Sequence, residues 1–237
     1  MGNAMNRSTS AAPASRSSPP ASISSPSPLV AVLVVIFTVA EGELRALLIH
    51  RSAEPYRGLW AIPGGRLNAG EALDAAATRK LTDETGVRDV FLEQLYTFSH
   101  LDDVTPGGAV AVVYFALVDH QRVRLADRTD WRPAWFSMGG LPELAFRNQE
   151  VLDYALERLR YKLEYTNVAY SLLPGRFTLS QLQRVHETIE GRELDKRNFR
   201  KRMLSLQVIE ATGERQAEGA GRPAQLYRFS SREPVVL

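Results

Sequence analysis

"GGRLNAGEALDAAATRKLTDETGV", residues 64–87, is the stretch on which the reading of this chain turns. Leu73, Ala76, Ala77 and Leu81 recur at helical spacing and predict one buried helix face. The pattern places a helix from Glu71 to Thr85, stopped by Gly86 as its C-cap. Ahead of it, Gly64 and Gly65 predict a tight loop whose backbone can come close to a ligand's phosphates. Side chains three and four residues apart share a helix face, so Lys80, Asp83 and Glu84 are expected on one side. Clustered carboxylates at such a spacing suit a hard divalent cation that shares its coordination with substrate phosphates.

Lys80 disturbs that arrangement. At about 4 Å and an effective dielectric of about 20, a unit-charge pair is worth roughly 4 kcal/mol, so an ammonium beside a divalent ion repels it appreciably. Metal-assisted attack of water on a diphosphate is expected to suffer with it. An ammonium is also a point-charge partner for phosphate, so Lys80 can stand in for part of a metal's charge. The alternative is an ordinary surface pair with Asp83 or Glu84, worth about 0.3–0.5 kcal/mol.

Outward from this segment, "LVAVLVVIFTV" and "LRALLIHR" read as paired strands around the turn "AEGE". "VFLEQLYTFSH" and "GAVAVVYFALVD" read as two more, joined by the loop "LDDVTPGG". Strands with an interposed helix predict an α+β sandwich of helices on a sheet. Residues Met1–Ser27 are Ser, Ala and Pro with almost nothing to bury, a disordered tail by composition. The apolar run that follows is too short to span a bilayer, and no small-residue cleavage site succeeds it, so neither a membrane nor secretion is expected. Cysteine is absent, which excludes disulfides and thiolate metal sites and fits a cytoplasmic protein.

The second half has a different character. From Val151 onward fifteen Lys/Arg face eleven Asp/Glu, a balance of +4, whereas the remainder carries −2. "NQEVLDYALERLRYKLEY", residues 148–165, predicts a long helix, either a linker between two domains or a packing helix of the first. Three short helices and a hairpin are expected after it. Thr178 with Gln181 predicts a capping box, Phe177 with Leu182 a hydrophobic staple, and Gly191 the stop of that helix. Asp195 is expected to cap the next helix, stapled by Leu194 and Phe199. "QVIEAT" and "AQLYRF" then flank a polar wing, and this order of elements is a winged helix-turn-helix. "DKRNFRKRML" packs five basic residues into the seven from Lys196 to Arg202. Phe199 and Met203 mark its buried side, leaving Arg197, Asn198 and Arg200 as candidates for base edges. Lys196, Lys201, Arg202, Arg215 and Arg222 are the candidates for phosphate contacts, with Thr178, Ser180 and Gln181 at the start of the preceding helix.

The first segment resembles the Nudix box. Gly65, Glu71, Arg79, Leu81, Glu84, Gly86 and Val87 match it at the family's spacing, and "WAIPGG" looks like the usual approach. Asp83 and Lys80 replace two of its glutamates. The whole of residues 29–230 resembles the Nudix-related transcriptional regulators of NAD metabolism. That resemblance implies a Nudix α/β/α sandwich followed by a winged helix-turn-helix. It also implies ADP-ribose or a related nucleotide as effector, palindromic double-stranded operator DNA and a homodimer. It divides the chain into the tail at 1–27, an effector domain at 28–150, a linker helix at 151–165 and a DNA-binding domain at 166–237. Ligand-binding candidates are Arg51, Gly64, Gly65, Arg79, Lys80 and Glu84. No cofactor is required on this reading, although Asp83 and Glu84 leave room for weakly held magnesium. If the box is active, Glu84, Asp83 and Glu71 serve an ADP-ribose pyrophosphatase. "LAFRNQE" differs from the family's Leu-Ala-Phe-Asp-His segment at Arg147 and Asn148, and the loop "SHLDDVTPGGAV" lacks the arginines often found there. Both departures lie near the expected pocket, so a different effector, as in related regulators of sugar catabolism, is the alternative.

Overall fold

The computed structural model describes residues 28–99, 101, 108–127, 131–217, 223–233 and 235. The tail at residues 1–27, most of the "LDDVTPGG" loop and Arg222 lie outside the described residues.

Strict alternation along the first strand sets the layers. In β1 (Leu29–Ala40), Val32, Val34 and Ile36 face one side while Val35 and Phe37 face the other, and all are buried. The first set packs on Ala76, Ala77 and Leu81 of helix α1 (Leu73–Thr85). The second packs on Val151, Leu152, Ala155 and Leu159 of helix α2 (Asn148–Tyr165). A sheet covered on both faces is the predicted sandwich.

β1 pairs antiparallel with β2 (Glu43–His50), as expected, and parallel with β6 (Ala109–Leu117), which in turn pairs antiparallel with β5 (Glu93–Ser99). The short strands β3 (Trp60–Ala61) and β7 (Pro133–Ser137) join β2, and β4 (Gly64–Arg66) joins β1. β5 therefore closes one edge of the sheet among the described residues. Helix α1 starts two residues later than predicted. Glu71 remains in the preceding turn, where its carboxylate accepts from the Asn68 amide at 3.1 Å, and Gly86 ends the helix in the left-handed conformation.

After α2 the expected first short helix is a five-residue 3₁₀ segment, Val168–Leu172. It is followed by an unpredicted two-residue strand, β8 (Phe177–Thr178), which pairs with β10 (Ala224–Phe229). An N-cap residue must be extended, and that conformation lets Thr178 serve the strand and the helix together. Helix α3 (Leu179–Glu190) carries the predicted capping box: Thr178 Oγ1 accepts from the Gln181 amide and Gln181 Oε1 from the Thr178 amide. Asp195 caps α4 (Lys196–Ser205) by accepting from the Asn198 amide, and β9 (Ile209–Gln216) pairs with β10 to form the wing.

One hydrophobic core runs from the sheet through α2 into this second unit, reaching Phe177, Leu182, Ile189, Phe199 and Phe229. The long helix is thus both packing element and connector. Its four buried leucine and valine side chains contribute on the order of 1.5–3 kcal/mol each and fix it against the sheet. Among the described residues no helix is long and apolar enough to cross a membrane.

His186 lies inside the α3–α4 core, its ring edge-on to Phe199 at 5.1 Å. Burial, with the Arg202 charge nearby, holds its pKa down to about 4. Because the unfolded chain takes up that proton first, the stabilisation is complete above about pH 6.5 and drains away as pH falls toward 4. The wild-type melting temperature is expected to drop across this window, and His186→Leu to drop less steeply, when both are followed by circular dichroism.

Candidate functional site

Two surfaces collect the candidate residues. The first surrounds the glycine loop. A Cβ on Gly64 would stand 2.4 Å from the Val32 carbonyl oxygen, so only glycine lets the loop lie against β1. A Cβ on Gly65 would stand 2.7 Å from Lys80 Nζ, which places the ammonium directly over the loop. Lys80 Nζ donates to Glu84 Oε1 at 3.2 Å, and Glu84 Oε2 accepts from the Gly64 amide at 2.8 Å. This is a part-buried pair and not a surface one: the Glu84 side chain is 8% exposed. Burial pushes the Glu84 carboxyl upward, opposed by Lys80, the Gly64 amide and the charge of Arg51.

The other members of the box are disposed differently. Arg79 donates twice to Glu71, at 2.6 and 2.7 Å, and this fork holds the Glu71 carboxyl down to about 2. Asp83 is exposed, whereas Glu84 is buried and paired with Lys80, so the three side chains that the spacing puts on one side sit in different surroundings. A three-residue step turns a helix by about 300°, enough to carry Asp83 past the protein side. Among the described residues no three carboxylates or imidazoles are grouped to hold a metal ion. The divalent ion that a Nudix box implies does not fit this arrangement. Glu84 has both oxygens engaged, Glu71 is clasped by Arg79, and an ammonium stands among them.

On the other side of the glycine loop opens a cavity of about 270 Å³. Its floor is apolar, from Ala31 and Leu33 of β1 and Ala111 of β6, and its rim carries Arg51, Phe146 and Asn148. The Arg51 guanidinium lies over the Phe146 ring at 4.7 Å and the Trp131 ring at 5.6 Å, and it donates to the Pro55 and Ala53 carbonyls. Asn148 is 1% exposed; its Oδ1 accepts from the Ile62 amide at 2.8 Å, while its Nδ2 has no hydrogen-bond partner among the described residues. An unmet buried donor beside a cavity is a place for a ligand's acceptor. Phe146 and Trp131 escaped the sequence reading, because only the fold stacks them on Arg51. Asn148 was noticed there merely as a departure from a pattern. Tyr114, whose hydroxyl donates to Asp74 Oδ1 at 2.5 Å, also went unread; it ties α1 to β6.

The second surface is α4 and its surroundings. Phe199 and Met203 are buried, and Lys196, Arg197, Asn198, Arg200, Lys201 and Arg202 are all exposed. Ser180, Lys196 and Arg200 line one hollow of about 200 Å³ with Thr178, Gln183 and Gln225, so the start of α3, the start of α4 and the wing share a face. Arg215 is exposed on β9. Arg202 is turned away from this face, donating to the Glu164 carbonyl of α2 at 3.0 Å. The side chains of Thr178 and Gln181 are committed to the capping box, which leaves Ser180 the freest of the three to reach outward. The turn between α3 and α4 is clamped by Glu187, whose Oε1 accepts from the Leu194 amide and from Gln183 Nε2. Neither Gln183 nor Glu187 carried a sequence signal.

Comparison with known proteins gives both surfaces relatives. Residues 27–156 match the NUDIX domain model, and residues 169–229 match the NrtR DNA-binding winged helix domain. The ADPR responsive transcriptional repressor NtrR of Acinetobacter baylyi is 38% identical over 210 residues, spanning 86% of this chain and 83% of that protein. The crystal structure of Shewanella oneidensis NrtR complexed with a 27mer DNA superposes with a TM-score of 0.74 at 34% identity, over 84% of this chain and 93% of that one. The NUDIX domain of the same protein, complexed with ADP ribose, gives 0.51 at 30% identity, over 56% of this chain and 90% of that one.

Proposed function

This chain belongs to the Nudix family and carries an NrtR-type winged helix behind its Nudix domain, and from that membership we propose that it is a cytoplasmic transcriptional repressor whose Nudix domain senses ADP-ribose or a related NAD-derived nucleotide. Residues 28–150 sense the effector, the helix that follows transmits, and residues 166–237 grip double-stranded operator DNA as one half of a homodimer.

The observation that carries this reading is the placement of α2. Its first residue, Asn148, walls the cavity. Farther along, Arg160 donates to the Ile189 carbonyl at the end of α3, and the Glu164 carbonyl accepts from Arg202 of α4. A helix of this length spans about 27 Å as a single rigid rod, so a ligand that pulls on Asn148 acts on the recognition helix. Such a shift requires the effector to bind one dimer geometry better than the other.

In the effector site the apolar floor and the Arg51-backed Phe146 ring take the base and ribose. The diphosphate lies along Gly64 and Gly65, where Lys80 supplies the positive charge. Binding therefore needs no metal ion, and the nucleotide is retained intact. On the DNA side, Arg197, Asn198 and Arg200 meet base edges while Lys196, Lys201 and Arg215 neutralise phosphates. Arg202 acts as a tie to α2.

The test is duplex binding measured by fluorescence anisotropy with salt raised from about 50 to 200 mM. Affinity should fall steeply, with a log–log slope of about −0.9 per phosphate neutralised. Binding that is absent, or indifferent to salt, contradicts the reading.

A further inference from the structure

The rod that leaves the pocket ends at Tyr165, and the chain beyond β10 comes back to meet it there. Asn167, just past the end of α2, is 4% exposed. Its Nδ2 donates to the Ser231 carbonyl at 3.2 Å and to the Glu233 carbonyl at 3.0 Å. Its Oδ1 accepts from the Val235 amide at 2.8 Å, and its own amide donates to the Val235 carbonyl at 3.2 Å. Both polar atoms of the side chain are thus spent on one stretch of backbone. Arg232 grips in the opposite direction: its Nη2 alone donates to the Tyr170 carbonyl at 2.9 Å and to the Leu173 carbonyl at 3.1 Å. The returning segment brings no apolar anchor, for Arg232, Glu233 and Val235 are exposed and stand outside the core. Hydrogen bonds are directional and apolar burial is not, so a segment held this way is held for its orientation. It also walls a cavity of about 510 Å³ whose opposite side is Arg88, Phe91 and Arg122 of the Nudix unit. Here the two units stand apart, joined by the 3₁₀ segment that packs on β6.

We propose that Ser231, Arg232, Glu233 and Val235, held by Asn167, form a positioning strap that fixes the winged helix on the end of α2 and makes the wing follow that helix. The inference rests on the repressor reading above for the claim that this fixed orientation is used to signal. Helix α2 already has two polar ties to the second unit, from Arg160 to the end of α3 and from Arg202 of α4 to Glu164. Two ties leave an axis about which a body can still turn, and a third away from that axis stops the turn. The strap supplies the third. It leads directly into β10, and so carries a displacement of α2 to the wing as well as to the recognition helix. Asn167 and Arg232 touch neither the effector pocket nor the basic face of α4, so they act on binding only through the orientation they hold.

Two measurements compare the full chain with one that ends at Ser230, circular dichroism showing that both fold. The first reads orientation. The chain has no cysteine, so Ala75→Cys on α1 with Arg184→Cys on α3 carries a single nitroxide pair, diluted with unlabelled chain. The dipolar distance distribution is expected to be narrow in the full chain and broadened in the shortened one. The second reads signalling. ADP-ribose should raise the operator Kd of the full chain by about 5–150-fold, the usual span of such couplings, and change that of the shortened chain by no more than about threefold. ADP-ribose affinity itself should be equal in the two. Arg232→Ala, which removes no core side chain, should reproduce both effects, and Arg232→Lys should reverse them, since one ammonium with three donors can serve both carbonyls that Nη2 serves. Distances as narrow in the shortened chain as in the full one overturn the proposal. So does an Arg232→Ala loss that lysine fails to mend, or one accompanied by weaker ADP-ribose binding, which marks a loosened fold. A full chain whose operator affinity ignores ADP-ribose contradicts the repressor reading instead, and the distances still decide the strap.

Discussion

Lys80→Ala is expected to weaken ADP-ribose binding by about tenfold to a hundredfold, the worth of one charged hydrogen bond of roughly 1.5–3 kcal/mol. Its amine stands over Gly65 and is the box's cation nearest the glycine loop, so the diphosphate loses its principal counter-charge. The variant also leaves the buried Glu84 carboxylate without its ammonium partner, which costs stability. Calorimetric titration in the presence of a chelator measures the affinity. A parallel melting curve separates a lost ligand contact from a loosened fold. Operator affinity without effector should be unchanged, because α4 lies in the other unit. If ADP-ribose binds Lys80→Ala as well as wild type, the lysine is only a helix-face partner of Glu84, the alternative that the spacing alone left open.

The second large effect belongs to α4. Arg197→Ala combined with Arg200→Ala should reduce operator affinity by about thirtyfold or more, since each arginine paired to a base edge is worth about 1–3 kcal/mol. Both side chains are exposed, and the helix is held by Phe199, Met203 and the Asp195 cap, so the melting temperature should stay close to that of wild type. Anisotropy against specific and scrambled duplexes reads the outcome. Equal losses on both duplexes would assign these arginines to phosphates. Arg202→Ala provides a contrast: its guanidinium is bonded to the Glu164 carbonyl, so its removal should chiefly disturb the α2–α4 contact.

Much of this was visible in the chain itself, because the signals were local. The β1 strand run, the Gly86 and Gly191 stops, the Thr178–Gln181 box and the Asp195 cap each depend on residues within a few positions of one another, where spacing dictates geometry. Partnerships across the fold were not visible. Arg51 meets Phe146 and Trp131 only because β2 and the segments before and after β7 converge on one rim. The split between Asp83, which faces solvent, and Glu84, which is buried, depends on how α1 rolls against the sheet. The turn of Arg202 toward α2 likewise depends on where the second unit docks. The start of α1 was misplaced by two residues because Glu71, a good helix former, is held in the turn by Asn68 and Arg79.

The central claim is that a Nudix pocket with a lysine among its acids reports on a nucleotide without consuming it. A mobility shift on a palindromic operator, titrated with ADP-ribose in chelator and then with magnesium, and followed by chromatography of the nucleotide, tests it most directly. The account predicts that the complex dissociates under both conditions and that the ADP-ribose is recovered whole. Release that requires magnesium and is accompanied by cleavage to AMP and ribose phosphate would contradict it.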